Sequence, residues 1–212
     1  MKFVPALLLL FLSTFSFAQN LSTTKMAVGA TLGPHNSWPE FSGNYALQDD
    51  PLPGLHGGVK FQYMSRPMLG FETSVLYTQI GWKEAFQTGE VYKRKIDALE
   101  WQLVTHFAMG KGWLRGIFDA GPYLRFFLNE KNLGPESLPQ YSMDFDNNVQ
   151  YGLLAGAGLS TRLGKVILQC TGHFHLGLTN FFDSDIDVFF TSADRAVGAS
   201  ASILIPFGGD VN

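Results

Sequence analysis

The chain has 212 residues, 15 Lys and Arg against 18 Asp and Glu, and a formal charge of −3 at pH 7. Charged residues make up 16%, against roughly 25% in an average globular domain, while 46% are hydrophobic, 14% aromatic and 23 are glycine. These proportions disfavour a disordered tail, a coiled coil and a nucleic-acid binder with a basic face, and the single cysteine excludes an intramolecular disulfide framework or a multi-cysteine metal centre.

Residues 1–18 read as a secretory signal peptide. Lys2 supplies the basic start, Val4 to Leu12 is apolar apart from Pro5, and Ser16 and Ala18 put small residues before a cleavage site at Gln19. The run is too short to span a bilayer as a helical anchor. No cysteine follows the site, which excludes a lipoprotein. Residues 19–212 then form the mature domain.

Beyond residue 18 the hydrophobic pattern has period two. It predicts eight strands, near 25–33, 54–64, 68–80, 93–108, 113–127, 148–161, 165–178 and 196–207, each long enough to cross a membrane as a tilted strand. Ser65-Arg66-Pro67, Gly110-Lys111-Gly112 and Arg162-Leu163-Gly164 read as tight turns. Long links near 34–53, 81–92, 128–147 and 179–195 alternate with them. Short turns at one end and long loops at the other are the pattern of an outer-membrane barrel, with the short turns periplasmic. The alternative is a soluble lipocalin-like barrel with the greasy face inward. Loop alternation and low charge favour the membrane barrel.

In that register Lys60, Glu72, Glu100, Arg115, Asp119 and Arg125 all point into the lumen, as an ionic network of three charges against three. The plug this forms competes with a polar pore or proton path, and is preferred. Lys60 is expected near Glu72, and His106 near Arg115. Inward Gly152, Gly156 and Gly158 are expected to face Gln169, His173 and His175. Lys93, Lys95 and Asp97 take the lipid-facing parity at an outer strand end, so the membrane part of that strand begins near Leu99. Tyr63, Trp113 and Phe207 form an aromatic girdle toward the periplasm, and Tyr77, Trp101, Phe126 and Tyr151 one toward the outside. Pro122 and Pro206 sit within predicted strands, where a bulge or strand terminus must accommodate them.

The lumen histidines His106, His173 and His175 are read as satisfied polar side chains in preference to metal ligands. No cofactor or metal is expected. Asp183 to Asp187 resembles half a calcium loop, but Val188 stands where an EF-hand needs glycine, so it reads as a solvated acidic loop. Phe181, Phe182, Phe189 and Phe190, with Trp38, Pro39, Phe41 and Tyr45 of the first link, read as packing over the mouth or as partner contacts. No catalytic residue is expected. The inward histidines have no serine two residues away, no Gly-x-Ser-x-Gly elbow occurs, and Ser200 and Ser202 lie near no base.

Gly121-Pro122-Tyr123-Leu124, the run Tyr151 to Leu159, Leu176-Gly177-Leu178-Thr179-Asn180 and Leu99-Glu100-Trp101-Gln102-Leu103 resemble the PorT-type outer-membrane β-barrel domain family of Bacteroidota. The resemblance covers most of residues 19–208, and the end Phe17-Ala18-Gln19 has the look of that phylum. Residues 208–212, after Phe207, depart from the usual barrel ending. The resemblance implies an all-β, eight-stranded, antiparallel up-and-down transmembrane barrel of OmpA/OmpX-like architecture in the outer membrane. Some members are linked to protein secretion. The functional expectation is a monomeric structural or interaction barrel that meets lipid with its belt and a protein partner with its extracellular loops. It has no nucleic-acid partner. The alternatives are a transport or secretion-accessory component and, third, a lipid-modifying enzyme.

Overall fold

The computed structural model describes residues 23–42, 49–85, 91–110, 113–133, 148–180 and 191–211. They form eight strands, β1 (Thr23–Ser42), β2 (Asp49–Arg66), β3 (Leu69–Ala85), β4 (Val91–Met109), β5 (Leu114–Leu133), β6 (Val149–Leu163), β7 (Val166–Asn180) and β8 (Thr191–Val211). Each pairs antiparallel with the next, and β8 returns to β1, so the sheet closes into a barrel. Residues 1–18, where a signal peptide is expected, lie outside the described residues.

Period two fixes which face is which. On β4, Glu100, Val104, His106 and Ala108 are buried, while Leu99, Trp101, Leu103 and Phe107 are exposed. Leu32, Val59, Val75, Phe118, Leu153, Phe174 and Ile203 continue that exposed apolar belt around the wall. A barrel in water would turn these residues inward. Here the polar residues fill the lumen and the greasy ones face out, which only lipid makes favourable. The lipocalin-like alternative is thereby excluded.

Residue partners followed from Leu32 through Gly57, Tyr77, Leu99 and Phe126 arrive at Val149 on β6. Followed the other way, through Ala201 and Cys170, they arrive at Leu159, ten residues along the same strand. With a rise of ~3.3 Å and a strand spacing of ~4.8 Å, that stagger over eight strands sets a tilt of about 40°. A 20-residue strand such as β1 then rises about 50 Å along the axis, twice the ~25 Å apolar band of such barrels.

The strands therefore run well past the membrane, and the predicted outer ends were too short. Pro34 to Ser42 belongs to β1 and Asp49 to Pro53 to β2, not to a loop, and Thr191 to Arg195 belongs to β8. Outside lipid the outward face has no reason to stay apolar, so the hydrophobic alternation fades while the hydrogen-bonded ladder continues.

The prolines sit where the ladder lets them. Opposite Pro122 the β4–β5 ladder skips Leu103 and Val104 without changing register. Pro206 lies beyond Leu204, the last β8 residue partnered by β7, and just short of the bulge opposite Thr24 and Met26. Pro51 and Pro53 coincide with a shift in the β2–β3 ladder between Pro51 and His56. There Ser37 of β1 reaches past β2 to β3 on the lumen side. Its hydroxyl donates to the Gly81 carbonyl at 3.0 Å and accepts from the Gly81 amide at 2.8 Å. A side chain thus replaces the backbone partner that a proline-containing strand withholds.

Candidate functional site

The polar lumen is the candidate site, and it is built in layers. Toward the short-turn end, Lys60 Nζ pairs with Glu72 Oε1 at 2.7 Å, and His106 Nδ1 hydrogen-bonds Asp119 Oδ1 at 2.6 Å. The register sets Lys60 opposite Ser74, so its reach to Glu72 is diagonal, a distance long side chains span. His106 lies directly opposite Asp119 and 3.9 Å from Glu72 Oε2, which ties the two pairs together. Gln169 donates to Gln62 beside them at 3.0 Å.

Toward the long-link end stands Arg125, 1% exposed. Its Nε and Nη2 donate to Glu100 Oε2 at 2.8 and 2.6 Å, and its Nη1 donates to Asp194 and to Gln150. Glu100 Oε1 accepts from Gln102 and lies 3.1 Å from His175 Nε2. The guanidinium stands 5.1 Å from the Tyr123 ring. Gly152 makes room for that ring, since an added Cβ would come within 2.7 Å of the Tyr123 hydroxyl. A cluster of this kind survives burial only because nearly every charge has its counter-charge and hydrogen bonds in place.

Between the layers lie the remaining histidines. His35 and His56 share a hydrogen bond between Nδ1 atoms at 3.2 Å, His173 stands edge-on to His56, and His175 edge-on to His173. All five histidines of the chain are thus in the lumen. Among the described residues, no three His, Cys, Asp or Glu side chains are arranged to hold a metal ion. A cavity of about 30 Å³ is lined by residues including His56, Lys60, Glu72, Asp119 and His173. That is room for one or two waters, placed to hydrogen-bond Glu72 Oε2 and Thr171 Oγ1, which have no hydrogen-bond partner among the described residues.

Apolar clusters stand beyond both layers. Ile80, Trp82 and Ile96, with Phe127, pack at the long-link end. Met64, Ala108 and Ile117, with Val211, pack at the other. The chain after Phe207 thus continues β8, pairs Val211 with Thr23, and turns Val211 onto the inner cluster.

Several expectations need correction. Arg115 is only half-buried and donates to the Pro67 carbonyl at 3.4 Å, at the rim and apart from the other charges. It is not a neighbour of His106, because the hairpin sets Met109 opposite Gly116, well beyond the expected turn centre. Three charges against three therefore does not describe the lumen. Asp194 belongs to it and Arg115 does not. Gly156 does face His173, but His175 faces Leu154, Gln169 faces Ser160 and Gly158 faces Thr171. Arg94, buried and paired with Glu130 at 2.6 Å, was not foreseen. Nor were His35, His56 or Asp194. His35 and Asp194 fell in stretches read as links.

On the outer surface, Tyr77, Trp101, Phe126, Tyr151, Trp113 and Phe207 are exposed and Tyr63 is half-exposed. Trp101 lies four residues inside Asp97, the first outward charge on β4. Its indole N–H donates to Thr73 Oγ1, and that hydroxyl donates to the Gln102 carbonyl, which satisfies the polar atoms facing lipid. Ser202 donates to Thr31 in the lumen, and Ser200 is buried there. Tyr45, the acidic run 183–187 and the four loop phenylalanines lie outside the described residues, as do the side chain of Phe41 and Lys111 and Gly112 of one turn.

A closed, eight-stranded, up-and-down barrel with an apolar outer belt and a polar lumen is an outer-membrane barrel. Residues 17–183 match the family described as outer membrane protein beta-barrel domain, and the chain belongs to that family. No curated protein matches the sequence. The chain is similar in structure to the outer membrane protein OprG from Pseudomonas aeruginosa, at 13% identity and a TM-score of 0.51, over 89% of this chain and 96% of that one. It is also similar to Neisserial surface protein A, at 14% identity and a TM-score of 0.47, over 86% and 97%. The OprG likeness shows a shared fold and nothing finer.

Proposed function

We propose that this small outer-membrane barrel is a closed structural or interaction protein that acts through its outer end and conducts nothing through its lumen. One observation carries the reading. Two ionic layers, Lys60–Glu72 with His106–Asp119 and Glu100–Arg125–Asp194 with His175, cross the lumen between apolar clusters. An ion passing through would have to break buried pairs that each cost roughly 3–5 kcal/mol to disrupt. In this reading the termini are periplasmic, the leader is removed before Gln19, the protein is monomeric and not an enzyme, and a protein partner meets the outer loops. The test is conductance in a planar bilayer. Purified protein should give no discrete channels at 1 M salt, and steady unitary currents would end the reading.

A second reading is a secretion-accessory role. It is favoured by the PorT-type motifs at Gly121–Leu124 and Tyr151–Leu159. Stable co-purification with other secretion components from detergent extracts would support it, and isolation as a lone barrel would not.

A further inference from the structure

Above the apolar belt the outer wall changes character on three adjacent strands. Lys83 of β3, Lys93 and Lys95 of β4 and Lys131 of β5 all point outward and are exposed or half-exposed. The register sets Lys83 directly opposite Lys93, and Lys95 directly opposite Lys131. Opposed Cβ atoms on one sheet face lie about 4.5–5.5 Å apart, where like charges are destabilising. Two such pairs side by side weaken the sheet unless an anion lies over them.

Among the described residues no side chain fills that role. None of the four lysines is in an ion pair among the described residues. The outward acids nearby are Asp50, opposite Lys83, and Asp97, two residues along from Lys95, which accepts a hydrogen bond from Gln79. Among the described outward residues, four lysines against two aspartates leave an excess of two positive charges. The inward acid on β5, Glu130, is held by Arg94.

Height selects the anion. Lys95 is four residues beyond lipid-facing Leu99, and Lys131 three beyond the exposed Leu128. At a 40° tilt each residue rises about 2.5 Å, so the backbones of Lys95 and Lys131 stand ~8–10 Å above those apolar residues. The headgroup layer occupies the first ~5–8 Å beyond the hydrocarbon on each side, within reach of a lysine side chain pointing back toward the membrane. Lysine binds phosphate as a flexible point charge.

We propose that Lys83, Lys93, Lys95 and Lys131 form a binding site for the phosphorylated headgroup of an outer-leaflet glycolipid. The proposal rests on the orientation given under Proposed function, with the long links outside. That orientation is read separately, by labelling Lys131→Cys in a Cys170→Ser background on intact cells with a membrane-impermeant maleimide.

The test is native mass spectrometry of the full chain in non-ionic detergent, titrated with bisphosphorylated lipid A and with the same lipid dephosphorylated. Wild type should retain the phosphorylated lipid at least tenfold better than the dephosphorylated one. The variant K83Q/K93Q/K95Q/K131Q should lose that preference, and K25Q/K165Q, at the opposite end of the barrel, should keep it. Inorganic phosphate at the same concentration should not displace the lipid. The surface substitutions should leave the folded, heat-modifiable band unchanged, so lost binding is not lost folding. Equal retention by the quadruple variant, or equal binding of the dephosphorylated lipid, would overturn the proposal.

Discussion

Replacing Arg125 with methionine removes a cation that serves both Glu100 and Asp194. The substitution keeps much of the volume and leaves two carboxylates in a lumen where they are 2% exposed. Removing one partner of a buried pair costs roughly 3–5 kcal/mol, and this side chain partners two. His175 and Gln102 remain on Glu100, while Asp194 loses its guanidinium, so the expected loss is about 5 kcal/mol, the top of that range. The control is R125M/E100Q/D194N, which removes all three charges together. Amides in place of carboxylates leave hydrogen-bonding groups without net charge, so the triple variant should recover most of the loss and sit within about 2 kcal/mol of wild type. The assay is reversible urea unfolding in lipid vesicles followed by tryptophan fluorescence. A single variant within 1 kcal/mol of wild type, or a triple variant less stable than the single, would refute a lumen held by charge compensation.

Ser37→Ala should cost about 1–3 kcal/mol, because the Gly81 amide and carbonyl lose their partner beside a proline-containing strand; faster hydrogen exchange at the Gly81 amide, measured by NMR in micelles, reports it locally. Gly58→Ala should block assembly, since its Cβ would come within 2.1 Å of the Val75 carbonyl oxygen, whereas outward Gly172→Ala meets nothing closer than 3.8 Å and should fold normally; the heat-modifiable fraction on a gel separates the two. Val75→Arg puts a charge on the apolar belt and should cost roughly 2–4 kcal/mol, as read by unfolding in vesicles. Thr73→Val should orphan the Trp101 indole N–H and shift its emission, with a loss of about 1 kcal/mol.

The membrane part of this fold was legible because lipid enforces it. Leu99, Trp101, Leu103 and Phe107 must all face out, so the period-two signal survives wherever the strand crosses the bilayer. Beyond it the constraint lapses. Lys93 and Lys95 take over the same outward positions on β4, and on β1, β2 and β8 a reading based on greasy alternation stops while the ladder runs on. That is why His35 and Asp194, lumen residues in the outer extension, were assigned to links. Inward facing was legible for Lys60, Glu72, Glu100, Asp119 and Arg125 by parity. Their partners were less so, because partnering depends on register, and register depends on where each hairpin closes. The Arg66–Leu69 hairpin brings Lys60 within diagonal reach of Glu72. The hairpin between Met109 and Gly116 closes farther along than its glycines suggest, so His106 meets Asp119 while Arg115 is left at the rim. Ser37 bonding Gly81 carries no signal in sequence, since it depends on a ladder break two strands away.

The most direct test of a closed lumen is the reactivity of a cysteine placed in its centre. Ser200 lines the small cavity between the ionic layers and is buried, so Ser200→Cys in a Cys170→Ser background probes solvent access without touching a charge. With the folded barrel in vesicles, a small water-soluble thiosulfonate applied from either side should leave that thiol unmodified until urea unfolds the protein. Modification of the folded barrel at a rate comparable to the unfolded chain, from either side, would show an open water path and contradict the account.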